Sequence, residues 1–218
     1  MRALAVVAHS DDHVLWIGGT MLRLKDWTWD ILSLCKSHNE EDFEPKRNIF
    51  NRSCEILGAN KYSAHEFKDY QPRESMEPHQ LAAIRNAIRE SVGSEYDFVF
   101  THSIHDDCEY GFHANHVEVR EAVNELVQAD ALRTSGVMYF CYKSGGCKKA
   151  VIAELGRADY KIILSSDEIQ KKRSLKGLFT WAKDDLLELS LWNNNEPEIE
   201  AFQARPRDLR LPVDFMKA

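Results

Sequence analysis

The stretch Ala3-Leu4-Ala5-Val6-Val7-Ala8-His9-Ser10-Asp11-Asp12-His13-Val14-Leu15-Trp16-Ile17-Gly18-Gly19-Thr20-Met21 decides how this chain is read. Its first part, Ala3 to Val7, is short, apolar and uncharged, the pattern of a strand buried in a parallel sheet. Its last part reads as the opening of a helix. The polar cluster between them therefore sits on a strand-to-helix turn. In an open α/β sheet that turn lies outside the carboxyl end of the strand, where ligands bind. His9, Asp11, Asp12 and His13 place imidazoles and carboxylates within five residues. An imidazole and a carboxylate on one Zn²⁺ would leave the adjacent Asp free to handle a proton. The plainer alternative is that Asp11 or Asp12 caps the helix, since Asp before an apolar run is a common N-cap.

A second cluster has the same placement. Asp97-Phe98-Val99-Phe100-Thr101 reads as another buried strand. It runs into His102-Ser103-Ile104-His105-Asp106-Asp107-Cys108-Glu109-Tyr110-Gly111-Phe112-His113-Ala114-Asn115-His116. A helix follows, with Val119, Ala122, Val123 and Leu126 on one face. His113 and His116, three positions apart at its start, lie close on one face. Two strands thus deliver imidazoles and carboxylates to the same edge of a sheet.

The rest of the chain alternates in the same way. Ile31 to Cys35 reads as a strand, followed by a polar loop with His38, which either lines the site or is simply solvated. Pro45 opens a helix that runs through Leu57 and ends at Gly58. A strand is expected over Lys61–Phe67, a polar loop over Asp69–Pro78 and a helix from about Glu77 to Val92. Val137–Tyr142 reads as a strand and Lys143–Lys149 as a glycine-containing loop. Tyr160–Leu164 reads as an edge strand. Ser166 begins a basic helix whose lysines and arginine, Lys171 to Lys176, are expected to face solvent. Trp181, Leu186, Leu187, Leu189 and Leu191 continue an apolar pattern, and the tail after Asn195 is expected to wrap the surface. This order predicts an α/β fold: a Rossmann-like three-layer α/β/α sandwich with a mostly parallel sheet.

The chain has 218 residues, 44% hydrophobic and 29% charged, with a net charge of −7. That length suits one well-buried domain, taken as residues 1–218, better than two. The negative charge argues against a nucleic-acid partner bound by phosphate neutralisation and against a basic membrane-surface protein. No apolar run approaches a membrane span, and Met1-Arg2 leads into the first strand without a signal-peptide pattern. Cys35, Cys54, Cys108, Cys141 and Cys147 are odd in number and form no CxxC pair, as expected of a reduced, cytoplasmic protein. Trp16, Trp27 and Trp29 fit a core role or a homo-oligomer interface.

The two clusters resemble the motifs of the LmbE-like, or PIG-L, zinc-dependent N-acetylglucosaminyl deacetylases. The family's AHPDDE, followed by an apolar stretch and Gly-Gly-Thr, is matched by Ala8-His9-Ser10-Asp11-Asp12-His13 and Gly18-Gly19-Thr20. Its HPDH is matched by His113-Ala114-Asn115-His116. The resemblance implies Zn²⁺ as cofactor, with His9, Asp12 and His116 as ligands. It implies Asp11 as general base and His113 as the group that stabilises the oxyanion or protonates the leaving amine. It implies hydrolysis of the acetyl group from an N-acetylated sugar or glycoconjugate, or a related amide. Arg47, next to Lys46, falls near the place of a family Arg that grips the sugar, and Tyr110 near that of a family Tyr. With His38 these are the expected substrate-binding residues.

Three departures stand out. His13 replaces the family Glu and is expected behind the ligands or as an alternative ligand. Ser10 replaces Pro. Asn115 replaces the Asp that orients and charges the neighbouring His, and a neutral amide stabilises imidazolium less. These changes motivate an alternative, a sugar- or metal-binding protein on the same fold that has lost efficient hydrolysis. A Rossmann-type nucleotide enzyme fits the element order but lacks the glycine fingerprint.

Overall fold

Alternation along the first strand, β1 (Arg2–Val7), sets the layers. Ala3, Ala5 and Val7 join the core on one side of the sheet, and Leu4, Val6 and Ala8 the core on the other, all fully buried. That is the two-residue period of a strand covered on both faces. The computed structural model describes residues 1–36, 43–69, 78–103, 114–144, 151–179, 199–207, 209–212 and 214–217.

β1 pairs in parallel with β2 (Thr28–Cys35) on one side and β4 (Glu95–Thr101) on the other. Outward from these, β3 (Lys61–Phe67) adds in parallel to β2, and β5 (Arg133–Phe140) to β4. Beyond β5 the sheet turns antiparallel through β9 (Ile199–Arg205), β8 (Tyr160–Ile163) and β10 (Met216–Lys217). The order β10-β8-β9-β5-β4-β1-β2-β3 makes one eight-stranded sheet. A separate hairpin joins β6 (Tyr142–Ser144) to β7 (Val151–Ala153). Helices α1 (Asp12–Arg23), α2 (Phe43–Ile56) and α5 (Ser166–Lys176) pack on one face, and α3 (Pro78–Ser91) and α4 (Ala114–Gln128) on the other.

This is the three-layer, mostly parallel α/β sandwich expected. From β1 the chain moves to β2 on one side, and later returns to β4 on the other. The carboxyl ends of β1 and β4 are therefore a topological switch point, and in open α/β sheets the ligand crevice lies at such a point. Both polar clusters begin there. Trp16 and Trp29 are buried, and Trp27 stacks between Trp29 and Phe98, so these three build core.

Four expectations are corrected. The segment after Asn195 does not only wrap the surface: β9 is a buried interior strand between β5 and β8. Its polar residues hid it, yet Glu200 and Gln203 are buried with partners. β8 is not the edge, because β10 pairs outside it. The expected Val137–Tyr142 strand is interrupted after Phe140, and Tyr142 begins the hairpin, which also takes Lys143 and Ser144 from the expected loop. On α5, Lys172 is not on the solvated face. It is fully buried, with Nζ 2.5 Å from Glu200 Oε1. Trp181 and the leucines after it lie outside the described residues.

Glu200 is the anchor of that corner. Besides Lys172 it accepts hydrogen bonds from the Gly19 and Thr20 amides at 2.8 and 2.7 Å and from Thr20 Oγ1 at 2.6 Å. A Cβ on Gly19 would stand 2.9 Å from Glu200 Oε1 and collide with Leu164, so the close approach requires glycine. Gly19 and Thr20 thus serve packing.

Removing one partner of a buried ion pair leaves a bare charge and costs about 3–5 kcal/mol. Lys172→Met is expected to lower the unfolding free energy by that order in a urea titration. Lys171→Met, on the exposed face of α5, changes it by no more than about 0.5 kcal/mol. A second expectation concerns pH. Glu168 accepts a two-pronged pair from Arg23, both bonds at 2.6 Å, and caps α5 through the Ser165 amide. Arg23 pulls its carboxyl down from 4.5 to about 2. A lowered carboxyl stabilises the fold above its unfolded value and stops doing so as pH falls through the folded one. The loss of stability in Glu168→Gln is therefore complete above about pH 4.5 and fades toward pH 2, as thermal melts across that range would record.

Candidate metal centre

The centre is built on the turn after β1. Asp11 occupies the N-cap position of α1, but its side chain makes no capping bond. Asp12, the first residue of the helix, is 3% exposed. Its Oδ2 accepts the His9 amide at 2.7 Å, which tightens the turn. Its Oδ1 accepts the indole N–H of Trp16 at 3.1 Å, one helical turn on and on the same face. Trp16 is itself held, since Tyr142 donates its hydroxyl to the Trp16 carbonyl at 3.1 Å. Asp12 therefore presents Oδ2 alone to the crevice.

Three imidazoles meet that oxygen, His102 among them with its Nε2 3.4 Å away. His9 Nδ1 is 3.4 Å from it, and Nε2 of His116, in the first turn of α4, is 3.7 Å away. The two ring nitrogens are 3.3 Å apart. Zinc bound tetrahedrally at about 2.0–2.1 Å has ligand-to-ligand edges of about 3.3–3.4 Å. The three atoms of His9, Asp12 and His116 are spaced close to three corners of such a tetrahedron, so the donor set fits that ion. Among the described residues, His9, Asp12 and His116 are the group of His, Cys, Asp or Glu side chains placed to share an ion. The charges agree. Burial alone would push His9 down, but Asp12 and Asp69 outweigh it and hold the imidazole well above its ordinary value. Burial would raise Asp12, and the imidazoles of His116, His102 and His9 hold it well below the usual carboxylate range. The pocket favours positive charge.

Asp11 stands beside these donors with its carboxyl pushed up to about 6, by burial first and then by the charge of Asp12, against His9 and Lys46. A cation on the three donors would act in the opposite direction. The cation that α2 sends toward Asp11 is Lys46, which is 8% exposed. Arg47 pairs with Glu44 at 2.8 Å on the outer side of the helix. His38, Tyr110 and His113 lie outside the described residues.

His13 takes another direction. One residue past Asp12 on a helix of 3.6 residues per turn, it points about 100° away. It is fully buried against α2, packed edge-on to Phe50 and Phe179. Ser53 donates to the Phe50 carbonyl at 2.7 Å and stands 2.8 Å from His13 Nε2, so it accepts that ring N–H. Burial pushes His13 down to about 3, and it stays neutral. Asn115 is buried, and its amide donates to the Lys68 carbonyl at 2.8 Å and to Cys35 Sγ at 3.1 Å. It fastens the start of α4 to the ends of β2 and β3.

Two residues without an assigned role in the sequence reading belong here. His102 stacks on His116, with ring centroids 3.9 Å apart and planes 10° from parallel. Its Nε2 accepts the Ala8 amide at 2.8 Å, so that lone pair is spent on the backbone and the ring acts as a wall for His116. Asp69 lies 3.1 Å from Nε2 of His9. Both sit just past the carboxyl end of a parallel strand, as His9 does, and that position was the available signal.

Residues 4–127, more than half of the chain, match the PIG-L family, described as GlcNAc-PI de-N-acetylase, and the chain belongs to that family. Solved structures share the fold at low identity. A deacetylase of the teicoplanin biosynthesis pathway superposes with a TM-score of 0.65 at 12% identity, covering 94% of this chain and 98% of that one. The N,N'-diacetylchitobiose deacetylase of Pyrococcus horikoshii gives 0.63 at 15%, covering 94% and 84%. GalB, the 4-carboxy-2-hydroxymuconate hydratase of Pseudomonas putida, gives 0.60 at 16%, covering 97% and 98%. No curated protein matches the sequence.

A cobalt titration separates His116, one of the three converging donors, from His13, which points away from them. Wild-type protein is expected to take up one equivalent of Co²⁺ with visible absorption bands. His116→Ala loses them, whereas His13→Gln keeps them although it melts at lower temperature. Loss of the bands in a folded His13→Gln protein would return His13 to the ligand set.

Proposed function

We propose that the protein is a zinc-dependent N-deacetylase that removes the acetyl group from an N-acetylated sugar or glycoconjugate, and that it acts in the cytoplasm as one domain. The observation that carries this reading is the triangle of His9, Asp12 and His116 donors, 3.3–3.7 Å on a side, with the uncapping Asp11 beside it. Family membership and the deacetylases that share the fold support it. A hydratase shares the fold, so the donors of the site and not the fold decide the chemistry.

When bound, Zn²⁺ supplies a water of pKa near 7 and a positive charge for a developing oxyanion. Asp11 takes the proton of the attacking water. The water oxygen bonds to the acetyl carbon, the carbon–nitrogen bond breaks, and the nitrogen leaves as an amine after receiving a proton, for which His113 is the assigned donor. Acetate and the free amine are the products. Lys46 adds positive charge on the Asp11 side, where an oxygen-rich substrate or the leaving acetate would lie. Asp12, tethered by Trp16, keeps a fixed position while this happens.

The test is release of acetate from a panel of N-acetylated sugars. Turnover is expected to stop on chelation and return with Zn²⁺. Asp11→Asn should lose about 10²–10⁴-fold in kcat while keeping its metal. Turnover of that variant within a few-fold of wild type would remove Asp11 from the role of base. Tight sugar binding by zinc-loaded protein with no acetate released would favour the binding-protein alternative.

A further inference from the structure

We propose that Asp69 is a positioning residue for the metal centre: it holds His9 by Nε2–H so that Nδ1 is turned toward the ion. This rests on the metal reading above. The carboxylate Oδ1 of Asp69 stands 3.1 Å from Nε2 of His9, and its side chain is 10% exposed. The other ring nitrogen, Nδ1, is the one that faces Asp12 and His116. An imidazole that accepts a metal on one nitrogen must carry its proton on the other, and a carboxylate there fixes the tautomer, aims the ring and makes the ligating nitrogen a stronger donor.

Asp69 is itself held in place. The carbonyl of the preceding Lys68 accepts the side-chain amide of Asn115 at 2.8 Å and that of Gln80 at 3.1 Å. Both amides are buried, one on α4 and one on α3. The Phe67 carbonyl accepts the Lys36 amide at 2.9 Å. The end of β3 is thus pinned by β2, α3 and α4, and the carboxylate it delivers is not a mobile surface acid. Charge points the same way. With His9 and His116 neutral, Asp12 and Asp69 bring two negative charges to a site for a divalent cation. Asn115, one residue before the ligand His116, therefore has a second effect: by holding Lys68 it ties the placement of Asp69 to the helix that carries His116.

Zinc affinity measured by competition with a chromophoric chelator tests this independently of turnover. Asp69→Asn keeps the shape and an acceptor oxygen but loses the charge, and is expected to bind Zn²⁺ about 10-fold more weakly than wild type. Asp69→Ala loses both and is expected nearer 100-fold. Glu66→Gln, an exposed acid three residues earlier on β3, serves as control and leaves affinity unchanged. Circular dichroism and melting temperature establish that each variant is folded, and the near-isosteric Asp69→Asn keeps the test open should Asp69→Ala unfold. Wild-type zinc binding with Asp69→Asn and Asp69→Ala within about 2-fold of it overturns the role of Asp69 and leaves the metal centre standing. Wild-type protein that takes up no zinc overturns the metal reading, and this inference with it.

Discussion

A carboxylate out of water must be matched by hydrogen bonds or positive charge, and two such groups govern this molecule. Asp12 and Glu200 are both at most 3% exposed, and both act on α1. Asp12 sits in its first turn, and Glu200 binds the Gly19 and Thr20 amides farther along. The Glu200 charge is answered inside the protein by Lys172. The Asp12 charge is answered by an amide, an indole and imidazoles that have no fixed positive charge of their own. One end of α1 is therefore closed and structural, and the other is open to a cation.

The same helix separates chemistry from packing within one residue. Asp12 and Trp16 share a face and are hydrogen-bonded across a turn. His13, on the next face round, is buried between Ser53, Phe50 and Phe179. Helical geometry alone sends neighbouring polar residues to opposite fates. That is why a dense run of metal-binding residue types overstates the number of ligands such a run can supply.

This bears on how far the sequence could be read. The parallel half of the sheet was legible because β1, β2, β4 and β5 are apolar runs followed by helices or polar loops, and the clusters of imidazoles and carboxylates follow β1 and β4. The antiparallel half was not. β9 contains Glu200 and Gln203, which lower its hydrophobicity, and their partners Lys172, Gly19 and the Arg157 carbonyl are far away in sequence. A charged residue reads as surface until its buried partner is known. Lys172 was misread for the same reason, inside a helix whose other basic residues do face outward. Asp69 carried no local motif at all. Its meaning depends on β3 lying beside β2, a pairing that no short window contains.

The position of the centre follows from topology before any side chain is considered. Strands β1 and β4 are neighbours in the sheet but are separated in sequence by two other strand positions, so the loops leaving them must diverge. At the carboxyl edge this brings together residues that are far apart in sequence. The observed contacts are of that kind: His9 to His116, His102 to Ala8, and His9 to Asp69 all join residues at least 60 positions apart. A site assembled this way exists only when the sheet is complete, so its donors converge only in the folded chain. An ion held on these donors would draw on the stability of the whole sheet, including the buried Lys172–Glu200 pair that secures α1 at its far end.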